Sequence, residues 1–151
     1  KKPVRASIVN GWWKDTGRPE DILEANRLIL DELEGSNQGT VEDGVQIQGK
    51  VSIGKGTVVR KGSVLRGPAI IGEDCEIGPD TYIGPYTSVG DQTVIRGGEV
   101  EASVIIGNTR IECRERIVDS LIGRNCEIVS SSNSLPRGRR LILGAYSSLR
   151  I

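Results

Sequence analysis

The chain has 151 residues, of which 20 are Lys or Arg and 20 Asp or Glu, so its formal net charge is zero. That length suits one well-buried domain plus a short appendage, and a balanced charge excludes the broad basic footprint that DNA or RNA binding needs. Three widely spaced cysteines and the absence of any apolar run long enough to cross a bilayer exclude a disulfide framework, a zinc motif and a membrane partner, and point to a reducing, cytoplasmic setting.

The chain opens Lys1-Lys2-Pro3 and contains no Met, which leads us to expect the C-terminal part of a longer protein. Arg5 to Val9 reads as a short strand, and Gly11-Trp12-Trp13-Lys14-Asp15-Thr16-Gly17 leads from it to a helix start. Pro19 suits the first helical turn, and Glu20 and Asp21 favour the positive end of the helix dipole. Ile22, Ala25, Leu28, Ile29 and Leu33 recur at helical spacing, and Gly35 is a natural stop. This apolar stripe is expected either to cap the region that begins near residue 41 or to dock onto a further domain.

From Val41 the pattern changes. Val41, Ile47, Ile53, Val59, Leu65, Ile71, Ile77, Ile83, Val89 and Ile95 stand six apart without a miss. Six fits neither a helix nor a long alternating strand, and is the signature of a hexapeptide parallel β-helix. A second inward position is filled by small residues, Thr57, Ser63, Ala69, Cys75, Thr81, Thr87 and Thr93, and fails at Glu99. Three units would close a coil of about 18 residues, which stacks Ile53, Ile71 and Val89 with coils ~4.8 Å apart. Gly56, Gly62, Asp74, Asp80 and Gly98 hold the corner position, where a left-handed backbone is required.

After Ile95 the period stumbles near residues 97–104 and resumes at Ile106-Gly107, Ile122-Gly123 with Ile128, and Leu143-Gly144 with Leu149. We therefore expect further coils with loop insertions near 97–104 and 130–140. The second insertion carries Arg137, Arg139 and Arg140, which we read as a solvated loop. Cys75 and Cys126 fall at the small inward position and serve as core residues. Arg60, Arg66 and Arg96 replace the usual glycine after the inward aliphatic. Arg60 and Arg96 share one edge two coils apart, where exposed edge charge is a commoner role than an anion site.

The run from Gly11 to Gly17, continued by Pro19-Glu20-Asp21-Ile22-Leu23-Glu24-Ala25-Asn26, resembles the end of the catalytic domain of sugar-1-phosphate nucleotidyltransferases, above all the long-form glucose-1-phosphate thymidylyltransferases. Ile83-Gly84-Pro85-Tyr86-Thr87-Ser88 and Asp119-Ser120-Leu121-Ile122-Gly123 resemble the hexapeptide-repeat part that comes after that domain. The resemblance implies an all-β left-handed parallel β-helix over 41–151, preceded by residues 1–40 as the strand-plus-helix end of the catalytic domain. It implies a parent enzyme that joins an NTP to a sugar 1-phosphate and releases pyrophosphate, with dTDP-glucose the expected product. Asp15 matches the aspartate that helps hold Mg2+ in that enzyme, and a carboxylate suits so hard a cation.

No Gly-rich nucleotide loop, second metal-binding aspartate or sugar-phosphate lysine is found here, so these belong to a missing N-terminal catalytic domain. No catalytic or substrate-binding residue is assigned within this chain. The isolated chain is expected to be inactive, to need no cofactor, and to act as a structural or assembly module that forms a dimer or trimer. The alternative, a hexapeptide-repeat acyltransferase acting on a sugar, is disfavoured by the lack of any histidine to serve as general base.

Overall fold

The computed structural model describes residues 18–130 and 140–149. The predicted strand at 5–9, Trp12, Trp13 and Asp15 therefore lie outside the described residues, as does the loop at 131–139. Among the described residues, one helix, α1 (Pro19–Asp31), precedes eighteen short strands. No helix among the described residues is long and apolar enough to cross a membrane.

The strands wind in a fixed cycle over three parallel sheets, the architecture of a hexapeptide β-helix. Face A holds β1 (Ser36–Asn37), β4 (Val51–Ile53), β7 (Ala69–Ile71), β10 (Thr87–Val89), β13 (Val104–Ile105) and β16 (Leu121–Ile122). Face B holds β2 (Thr40–Val41), β5 (Val58–Val59), β8 (Glu76–Ile77), β11 (Val94–Ile95), β14 (Arg110–Glu112) and β17 (Glu127–Val129), with β18 (Arg140–Ile142) at its end. Face C holds β3 (Gln46–Gln48), β6 (Val64–Arg66), β9 (Tyr82–Ile83), β12 (Glu99–Glu101) and β15 (Arg116–Val118). Five coils are complete, and β16 and β17 begin a sixth.

The predicted stacking is observed: Ile53, Ile71 and Val89 are in register on face A, and Val59, Ile77 and Ile95 on face B. All six are at most 2 % exposed, so the aliphatic column is the core. The five predicted corner residues all adopt positive φ, from 54° at Asp80 to 80° at Gly62. Several of the small inward residues hydrogen-bond to the backbone of neighbouring coils. The Thr57 hydroxyl donates to the Gly72 carbonyl at 2.6 Å and accepts from the Cys75 amide at 3.0 Å.

Several expectations need correction. Residues 97–104 contain no inserted loop, since β12 lies there. The coil instead shortens, and Ile95 pairs with Ile111 and Val89 with Ile105, sixteen residues on rather than eighteen. The inward residue is accordingly Ile105, while Ile106 faces outward beside α1. The terminal segment is not a further parallel coil, because β18 pairs antiparallel with β17 and Ser148 bridges Leu121 in the same sense. It folds back and covers the end of the rod, as repeat proteins require.

The predicted boundary at 40/41 falls within β2, and the solenoid already begins at Ser36. The helix ends at Asp31 rather than at Gly35, and Leu28, counted in its apolar stripe, is 63 % exposed. The buried stripe is Ile22, Ala25, Asn26 and Leu30, continued by Leu33. This stripe does not cap the first coil, because α1 lies along the outside of face A.

Candidate functional site

The junction of α1 with face A is the most elaborate polar arrangement among the described residues. Its floor is made by the alternation of the strand: in β7, β10, β13 and β16 the residue before the inward aliphatic points out, giving Ile70, Ser88, Val104 and Leu121. Glycine comes after the inward residue at Gly54, Gly72 and Gly90, where successive coils come very close. A Cβ on Gly90 would run into the Ile106 carbonyl.

Ile22 packs against Val104 and Leu121, which are 1 % and 0 % exposed beneath it. One helical turn later, Asn26 is buried to 3 % exposure in the same stripe. Its Nδ2 donates to the Tyr86 carbonyl at 3.0 Å, and its Oδ1 accepts from the Ser88 hydroxyl. Tyr86 occupies a corner with φ of 63°, and its phenol donates to Asp31 at 2.7 Å. That hydrogen bond, with the charge of Asp31, pushes the phenol's pKa up and keeps it protonated. The Arg27 guanidinium lies 4.9 Å over the same ring and reaches Asp119 at 3.8 Å.

Face B carries a ladder of charge. Arg60 bridges Glu42 and Glu76 at 3.0 and 2.9 Å, Arg96 bridges Glu76 and Glu112 at 2.7 and 2.9 Å, and Arg110 joins Glu112 to Glu127 at 2.7 and 3.5 Å. Hydrogen bonds from Arg96 and then Arg60 hold Glu76 below the usual carboxylate range. The Lys61 amide and Arg60 do so for Glu42, and Arg110 does so for Glu112. Face C carries Tyr82, flanked by the guanidiniums of Arg66 and Arg116 at 5.7 and 5.9 Å, with its hydroxyl donating to Glu101 at 3.2 Å.

The sequence-predicted residues divide accordingly. Asp15 lies outside the described residues, and no group of three His, Cys, Asp or Glu among the described residues could hold a metal ion. Arg60 and Arg96 do share an edge, but their charge is taken up by glutamates, which excludes an anion site between them. Cys75, Cys113 and Cys126 are all buried free thiols, and burial pushes Cys75 and Cys113 up, so both are inert core residues. Tyr146 has a corner backbone, with φ of 66°. Sequence reasoning missed Asn26 and the glutamates of the ladder. The signal for Asn26 was present: an asparagine four residues from Ile22 and four from Leu30 stands inside an apolar stripe.

Residues 65–134 match the family model described as the GMPPB C-terminal domain. The chain is 46 % identical over 148 residues to the low-salt glycan biosynthesis nucleotidyltransferase Agl11 of Haloferax volcanii, covering 98 % of this chain and 42 % of that protein. It is 41 % identical over 148 residues to a glucose-1-phosphate thymidylyltransferase of Streptomyces antibioticus, covering 98 % of this chain and 41 % of that protein. The chain is similar to the C-terminal portion of these sugar-1-phosphate nucleotidyltransferases. A bifunctional protein GlmU of Methanocaldococcus jannaschii, 44 % identical over 127 residues, covers 83 % of the chain. The chain thus spans about two fifths of the length of the first curated nucleotidyltransferases it matches. Among solved structures, a mutant of GDP-perosamine N-acetyl transferase from Caulobacter crescentus is similar over 79 % of this chain and 63 % of that one, with 18 % identity and a TM-score of 0.48.

Proposed function

We propose that this chain is the β-helix region of a cytoplasmic sugar-1-phosphate nucleotidyltransferase whose whole protein makes a nucleoside diphosphate sugar, dTDP-glucose, and pyrophosphate from an NTP and a sugar 1-phosphate. The observation that carries the reading is the match of nearly the whole chain, α1 included, to a nucleotidyltransferase and a thymidylyltransferase at more than 40 % identity. Within that enzyme the rod is a rigid support and assembly module. The two thiols shifted upward by burial are unreactive. Asp15, in the segment ahead of α1, is proposed as the one carboxylate this chain lends to a catalytic Mg2+, the ion that neutralises charge on the reacting phosphates when bound.

The test is pyrophosphate release from dTTP and glucose 1-phosphate with Mg2+. The full-length protein should release it, this chain alone should not, and Asp15→Asn in the full-length protein should lower the rate by about a hundredfold or more. Pyrophosphate from the isolated chain, or transfer of acetyl from acetyl-coenzyme A to a sugar, would overturn the reading. The acyltransferase alternative has no histidine to act as base.

A further inference from the structure

We infer that Asn26, Ser88 and the Tyr86 carbonyl form a register device that fixes where α1 sits along the rod, so that the β-helix acts as a ruler for the segment leading into the helix. An apolar stripe on a flat sheet face resists lifting away more than sliding, because apolar burial is not directional. A buried polar group removes that freedom, since sliding by one turn, about 5.4 Å, would leave its donors and acceptors unpaired. This is how a single buried asparagine fixes register between packed helices, at some loss of stability. Asn26 has the required features: it is 3 % exposed, sits inside the apolar stripe, and both ends of its amide are engaged by one strand and its corner.

Two outer contacts repeat the same register. The Tyr86 phenol meets Asp31 at 2.7 Å, and Arg27 meets Asp119 at 3.8 Å. With α1 fixed at Ile22 and Asn26, the point on face A from which the chain enters the helix is fixed too, and Asp15 stands four residues ahead of Pro19 in the sequence. Asn26 is therefore a positioning residue for the Asp15 segment. This last step rests on the nucleotidyltransferase reading.

The experiment replaces the polar pair by an apolar one, Asn26→Leu with Ser88→Ala, in the full-length protein. Nitroxides attached at Leu28→Cys on the outer side of α1 and Lys55→Cys on an early corner report the position of the helix. The parent protein should give one narrow distance, and the variant a broadened one or one displaced by about 5 Å. The variant's kcat should fall by about a hundredfold with KM little changed, the scale expected for an ångström-level misplacement. An unchanged distance would overturn the register device. A displaced helix with unchanged kcat would overturn the positioning role while leaving the device in place. A parent protein that makes no nucleoside diphosphate sugar would overturn the functional reading and the positioning role together, and the distance would still judge the register.

Discussion

Two threonines show how finely the interior is balanced. Thr87 and Thr93 are buried, and neither hydroxyl has a partner. Both lie in coil four, the coil that contracts from eighteen residues to sixteen. Thr87 stacks on Ala69, which offers no oxygen. Each carries a desolvation cost that Thr57 does not, so Thr87→Val and Thr93→Val should leave the denaturation midpoint unchanged or raise it. Thr57→Val, which breaks bonds to Gly72 and Cys75, should lower stability by about 1–3 kcal/mol. Equal losses in all three would show that the hydroxyls are equivalent. Gly90→Ala should also destabilise, by about 1–3 kcal/mol in urea titrations, because its Cβ would press on the Ile106 carbonyl.

Among the elements, face B makes the clearest prediction. The folded state holds Glu42, Glu76 and Glu112 below their ordinary range, so these groups favour the fold at neutral pH. That contribution is full above about pH 4.3 and is lost as pH falls through the lower folded-state values. Thermal melts from pH 7 to 2.5 should drop in this acid window, the drop should be smaller in Glu76→Gln, and 1 M salt should weaken it. A variant with the parent's profile would show that the ladder contributes nothing.

The ladder was hidden in the sequence because most of its partners sit 16 to 20 residues apart, and which of these pair depends on the coil length. The core was legible as far as Ile95 because one inward residue every six is a direct projection of the coil. Beyond it Val100, Ile105, Ile111, Ile117, Ile122 and Ile128 continue the column, all at most 5 % exposed. Their spacing mixes fives with sixes, so a strict period of six breaks there and suggests an insertion where residues are missing. The helix was legible from Pro19 and its apolar period, but its true face was not, because the buried polar Asn26 outweighs Leu28 once Ser88 is opposite.

For the whole molecule, the assembly role is tested by light scattering across concentration. Faces A and B are occupied by α1 and the ladder, which leaves face C and the open edges of β1, β2 and β3 for contact, with Ile47 42 % exposed at the first coil. We expect a dimer or trimer mass for this chain, and a monomer at every concentration would remove assembly from its proposed role. The course of α1 has a separate consequence. It starts beside Leu121 and runs back to the first coil, and Ser148 near the other end of the described chain bridges the same Leu121. Both ends of the described chain thus meet at one end of the rod, about 24 Å from the first coil, and α1, about 20 Å long, runs most of that distance alongside face A.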